Sequence, residues 1–94
     1  MKNEYIKELI DGVRYNLFEN KIDGDRHYDE IWINPRSYHL GQKHFCEVRE
    51  LCKPLGIRLE YIEYPMLDND HHWYFIREGE EDPTGWLKYR REIP

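Results

Sequence analysis

The sequence predicts a small α+β domain, an amino-terminal helix followed by a β-α-β-β unit, with a mixed sheet of three or slightly more strands and the helices packed on one face. Three observations lead there. Residues 3–18 repeat apolar side chains at steps of three and four. Residues 30–78 change from strand period to helix period and back, and turn-forming proline, glycine, Asn or Asp separates the segments. At 94 residues the chain has the common size of one domain and buries only about 60 to 65% of its unfolded surface, too little for a second core. The expected organisation is one domain, 1–94, made of a helix (1–18), a core unit (30–78) and a carboxyl-terminal extension (79–94).

In the first helix, Ile6, Leu9, Ile10, Val13 and Leu17 form one stripe, opposed by Lys7, Glu8, Asp11 and Arg14. Asn3 is suited to cap it, and Lys7 and Asp11 stand four apart as a surface pair. Residues 19–29, ENKIDGDRHYD, hold Asp-Gly among polar turn formers and read as a connection. Asp23, Asp25 and Asp29 do not make a calcium loop. The glycine follows the first aspartate directly, Arg26 and His27 interrupt the ligands, and the bidentate glutamate is missing.

Residues 30–34 alternate, with Ile31 and Ile33 on one face of a strand and Trp32 on the other. Asn34-Pro35 ends that strand and opens a second helix with the stripe Tyr38, Phe45, Val48, Leu51 and Cys52. Lys53-Pro54-Leu55-Gly56 stops the helix, because proline breaks the ladder and glycine accepts positive φ. Ile57, Leu59 and Tyr61 then alternate with Arg58, Glu60 and Ile62 in the clearest strand, and a turn over 65–70 leads to the aromatic strand 71–77, HHWYFIR. The crossover predicts a parallel first pair and the short connection an antiparallel second pair. In the extension, Trp86, Leu87 and Tyr89 are expected to dock back on the domain.

Fourteen basic against nineteen acidic side chains give a formal charge of -5, which argues against direct nucleic-acid binding and against attraction to anionic membranes. The amino terminus lacks the apolar run of a signal peptide. Cys46 and Cys52, six apart on one helix and so about 9 Å apart, cannot pair, which predicts a reduced, cytoplasmic protein with two largely buried thiols.

No phosphate loop, dinucleotide fingerprint, zinc knuckle or nucleophile elbow is present, and no motif calls for a cofactor. The leading expectation is a binding module that meets a protein partner by surface complementarity, without catalysis. Its contact set is Trp32, Tyr61, Tyr64, Trp73, Tyr74 and Trp86, since aromatic anchors framed by charge concentrate binding energy. The chain resembles, in type and without any shared motif, small bacteriophage and mobile-element proteins that inhibit or redirect host machinery. In that form its partner is a host complex with a basic, nucleic-acid-binding surface. Homodimerisation through an aromatic edge strand is a related expectation.

Two other classes compete. A metal-dependent hydrolase or nuclease would use Asp68, Asp70 and His72, carboxylate and imidazole ligands at one turn, although neighbouring His71 and His72 point to opposite faces of a strand. A nuclease built on Asp29, Glu30, Glu60 or Glu63 with Lys43 or Lys53 lacks the carboxylate-x-lysine spacing. A small-molecule or nucleotide module would bind at the strand ends near Asn34, Pro35 and Tyr64. His44 and Cys46 diverge on their helix and do not make a thiolate-imidazole pair.

Overall fold

The computed structural model describes residues 2–27, 35–64 and 70–92. Helix α1 runs over Lys2–Arg14, so Asn3 lies inside it rather than capping it. It continues into one wide π turn, Tyr15–Glu19, in which the Asn20 amide donates to the Tyr15 carbonyl at 2.8 Å. Lys21 then takes a left-handed conformation, φ 54°, and the Ile22 amide reaches back to the Asn16 carbonyl at 3.0 Å. That contact closes the helix end.

Strand β1 is Asp25–His27, helix α2 is Pro35–Cys52, strand β2 is Ile57–Tyr64 and strand β3 is Asp70–Arg77. The helix stop behaves as its sequence demands. Lys53–Leu55 makes a 3-10 turn, and Gly56 exits at φ 75° with its amide on the Lys53 carbonyl.

The α+β class is present, with two helices and a three-stranded sheet, but the neighbours differ from expectation. The order is β1-β3-β2 and both pairings are antiparallel, with Asp25 opposite Phe75 and Ile57 opposite Arg77. Strands β1 and β2 therefore run in the same direction, as a crossover requires, while β3 lies between them and replaces the parallel contact. Strand β1 also falls inside the segment read as a turn. Its Asp-Arg-His sequence has no apolar alternation, and backbone pairing with β3 defines it. The strand expected at 30–34 lies outside the described residues.

The pleat separates two clusters. Ile57, Leu59 and Tyr61 from β2 and Trp73 and Phe75 from β3 face the helices, where they pack with Ile6, Ile10, Val13 and Leu17 of the first helical segment and Phe45, Val48 and Cys52 of α2. Phe45 sets its ring edge-on to Tyr61 and Trp73, at centroid separations of 5.5 and 5.6 Å. On the other face Ile62, Tyr74 and Ile76 are buried under Trp86, Leu87 and Tyr89 of the extension. The docking expected of that extension thus occurs, through a 3-10 turn at Trp86–Tyr89.

Arg77 fastens the helical layer to the sheet. Its Nη1 donates to the carbonyls of Leu17 and Ile22, and its Nη2 to Glu80 Oε1 at 2.9 Å. These carbonyls sit at and just beyond a helix carboxyl end, where a cation is favoured. Among the described residues no helix is long and apolar enough to cross a membrane.

Candidate interaction surface

The aromatic residues expected to form a contact surface are mostly core. Tyr61, Trp73 and Tyr74 are buried, so they cannot serve as anchors for a partner. Trp86 is half-buried, with its ring against His72 at 5.0 Å and Tyr74 at 5.9 Å and with the Arg26 guanidinium 4.5 Å from its ring centre. Trp32 lies outside the described residues. Tyr64 pairs through its backbone with Asp70 at the end of β2, and the side chains of both lie outside the described part of the structure. The physical reason is coverage of the sheet on both faces. An alternating strand shows which residues share a face, but not whether the second face is wet.

The same coverage acts on the expected metal ligands. His72 is buried beside Trp86 rather than presented at a turn, and Asp68 lies outside the described residues. Among the described residues no group of three or more His, Cys, Asp or Glu is placed to hold a metal ion. The strand carboxylates of the nuclease reading are engaged by arginines. Glu60 accepts from Arg58 at 2.8 Å and Glu63 from Arg91. Asp29 and Glu30 are outside the described residues, as is Asn34 of the small-molecule reading.

A polar network holds the extension over the second face. The Tyr74 hydroxyl donates to Asp82 Oδ1 at 2.8 Å and accepts from the Thr84 hydroxyl at 2.9 Å, while the Leu87 amide donates to Asp82 Oδ2 at 2.8 Å. Burial pushes the Tyr74 phenol up to about 12, and the adjacent Asp82 carboxylate adds to the rise, against the opposing Thr84 hydrogen bond. Burial would raise Asp82 too. The Leu87 amide, the Tyr74 hydroxyl and the Thr84 donors outweigh it and hold that carboxyl below its ordinary range. At the edge of β2 the Arg91 amide donates to the Tyr61 carbonyl at 2.8 Å, and Arg90 pairs with Ile62. The edge offered for self-association is therefore partly capped by the chain's own extension.

Exposed apolar surface collects elsewhere. The large exposed apolar side chains among the described residues are Tyr15, Phe18, Leu51 and Leu55, at 58, 39, 48 and 41% exposure. Leu51 and Leu55 lie beside α1, and Leu55 also lies beside Tyr15 and Phe18 at the end of the first helical segment. A groove of about 570 Å³ runs between the helices, lined by Ile6, Ile10, Leu51 and Leu55 and edged by Lys7, Asp11 and Glu47. A second hollow of about 540 Å³ continues it past Asp11 and Leu55 to Arg14, Tyr15, Phe18 and Glu19. Tyr15 and Phe18 fall off the apolar stripe of the first helix, a signal readable in the sequence. Leu51, expected in the core, stands out because α2 turns Phe45, Val48 and Cys52 inward and leaves it at the rim.

Cys46 is exposed and Cys52 buried, and both are free thiols, which corrects the expectation of two buried thiols. Burial pushes the Cys52 thiol up to about 11, a packing cysteine rather than a nucleophile.

Fold and surface together define a small α+β domain with an apolar groove between its helices. Comparison with known protein families, with curated proteins and with solved structures gives no match for this chain.

Proposed function

We propose that this chain is a protein-binding module that works by surface complementarity, and that the groove between α1 and α2 is its contact surface. The observation that carries the reading is that Leu51 and Leu55 line the groove and Tyr15, Phe18 and Leu55 the adjoining hollow, with charges of both signs at the edges. An apolar centre with a charged rim is the anatomy of a protein interface, and clustered exposed apolar side chains mark such sites. The arrangement supplies shape and apolar area. The groove is edged by helices and runs over several helical turns, which suits an extended protein surface better than a compact ligand.

The test is a photocrosslinking amino acid at position 55, used in cells that naturally contain the protein, with position 92 as control. The expected result is a discrete protein adduct from position 55 that Leu51→Asp abolishes without changing the far-ultraviolet circular dichroism. No adduct, or the same adduct from both positions, overturns the reading.

A further inference from the structure

We propose that the sheet face opposite the helices is a second binding face, held shut by the chain's own extension as a releasable strap. When the strap opens, the face takes a segment of like chemistry from another protein. This surface is separate from the groove and does not rest on it. Its floor is Ile62, Tyr74 and Ile76, all fully buried, while the residues that cover them, Trp86, Leu87 and Tyr89, are each only half-buried. The two clusters share no residue, so the cover can leave without opening the helical core.

The ties of the strap converge on one group. The Asp82 carboxylate accepts from the Tyr74 hydroxyl at 2.8 Å, from the Thr84 hydroxyl at 3.1 Å and amide at 3.3 Å, and from the Leu87 amide at 2.8 Å. Trp86 lies against His72 and Tyr74 and under the Arg26 guanidinium, and Lys88 stands 5.2 Å from the ring centre of its neighbour Tyr89. Further along, the Arg91 amide donates to the Tyr61 carbonyl, Arg91 pairs with Glu63, and Arg90 stands 4.0 Å from Glu60, which Arg58 also holds. Both extension arginines are exposed, so solvent and salt weaken their pairs. The root of the extension stays fixed, because Glu80 accepts from the Arg77 amide and guanidinium. Only the exposed Glu81 separates that root from Asp82, so rotation there swings residues 82–92 as one unit.

The bound strap shows what the face recognises. Aromatic and aliphatic side chains from a short turn cover the apolar floor, one backbone amide adds to the edge of β2, and two cations meet the carboxylates of Glu60 and Glu63 beyond it. This is strand-edge recognition with side chains setting the specificity. The strap competes from within the chain at high effective concentration, so an outside segment gains access when a tie is lost. Such a segment carries an aromatic-rich turn followed by paired basic residues, with a carboxylate ahead of them to take the Tyr74 hydroxyl.

The probe is a fluorescein-labelled synthetic peptide with the sequence of residues 79–94, titrated by fluorescence anisotropy into the full-length chain and into its Asp82→Ala variant. The peptide brings its own Asp82, so it is expected to bind the variant at least about tenfold more tightly than wild type, because the charged hydrogen bonds are lost from the strap alone. A peptide carrying Asp82→Ala and Trp86→Ala is expected to bind the same variant at least about tenfold more weakly. Equal binding to the two chains, or equal binding of the two peptides, overturns the proposal. Dimerisation of the Asp82→Ala chain in sedimentation equilibrium, reversed by the peptide, assigns the face to the extension of a second copy and overturns the assignment to another protein. Native-state hydrogen exchange of the wild type gives a readout that no folding defect can confound. The Leu87 and Arg91 amides are expected to open together, with protection at least about a hundredfold lower than the central amides of β3. A single protection factor for all of them, set by global unfolding, overturns the strap.

Discussion

Replacing Tyr74 by phenylalanine removes one buried hydroxyl and nothing else from the contact between the sheet and the carboxyl-terminal extension. That hydroxyl donates to Asp82 Oδ1 at 2.8 Å and accepts from Thr84 at 2.9 Å. A hydrogen bond to an ionised group contributes about 1.5 to 3 kcal/mol, and the Thr84 hydroxyl, 3.1 Å from the same Asp82 oxygen, remains to satisfy it in the variant. The expected loss is about 2 kcal/mol at neutral pH, which in a domain of this size lowers Tm by about 8 to 16 °C. The alkaline limb supplies a second, independent readout. The folded phenol is raised to about 12 from an ordinary 10, so between these values the unfolded chain releases a proton that the folded chain keeps. The stabilisation is complete below pH 10 and is lost as pH rises through 12. The wild type should lose about 2 to 3 kcal/mol over that window from this group, and Tyr74→Phe should lose correspondingly less. Urea denaturation at pH 7 and across the alkaline range measures both. A variant within about 0.5 kcal/mol of wild type at pH 7, with an unchanged alkaline slope, would refute the placement of the hydroxyl in a buried bond.

Arg77→Lys should cost about 2 to 3 kcal/mol in urea denaturation, because one ammonium cannot reach the Leu17 and Ile22 carbonyls and Glu80 together as the guanidinium does. Gly24→Ala should lower Tm by several degrees in calorimetry, since φ there is 78° and the added carbon would stand 2.8 Å from the Tyr74 ring. In a thiol assay under native conditions Cys46 should react and Cys52 should not, and both should react after unfolding, as exposure and the raised Cys52 pKa require. In acid below the ordinary carboxylate range, Asp82 should release the extension. Its folded pKa is depressed, so its contribution is whole above the ordinary carboxylate range and is lost as pH falls through the lowered value, which Trp86 fluorescence should follow.

Local pattern read well where the residue repeat and its physical cause are both local. The stripe Ile6, Ile10, Val13 and Leu17 is buried, the Pro54-Gly56 stop ends α2, and the alternation of Ile57, Leu59 and Tyr61 is the core-facing side of β2. The contact surface was less legible. The aromatic residues that looked like anchors are needed inside, because a domain this small uses its rings to fill two thin layers on either side of one sheet. The groove that replaces them depends on where α1 and α2 lie relative to one another, and no short-range repeat encodes that. Leu51 illustrates the limit, since its helical spacing to Val48 and Cys52 is that of a core residue and its neighbours in space leave it at the rim.

The sequence by itself determined the two helices and the two long strands, the stop of α2 and which side chains share a face, though not β1, because steric preference and side-chain period act over a few residues. The tertiary structure alone decided that β3 lies between β1 and β2, that the extension covers the sheet face opposite the helices, and that Leu51 and Leu55 line a groove beside the hollow of Tyr15 and Phe18. Those outcomes depend on pairings between segments far apart in the chain, whose energies come from the whole packed arrangement rather than from any one stretch of residues.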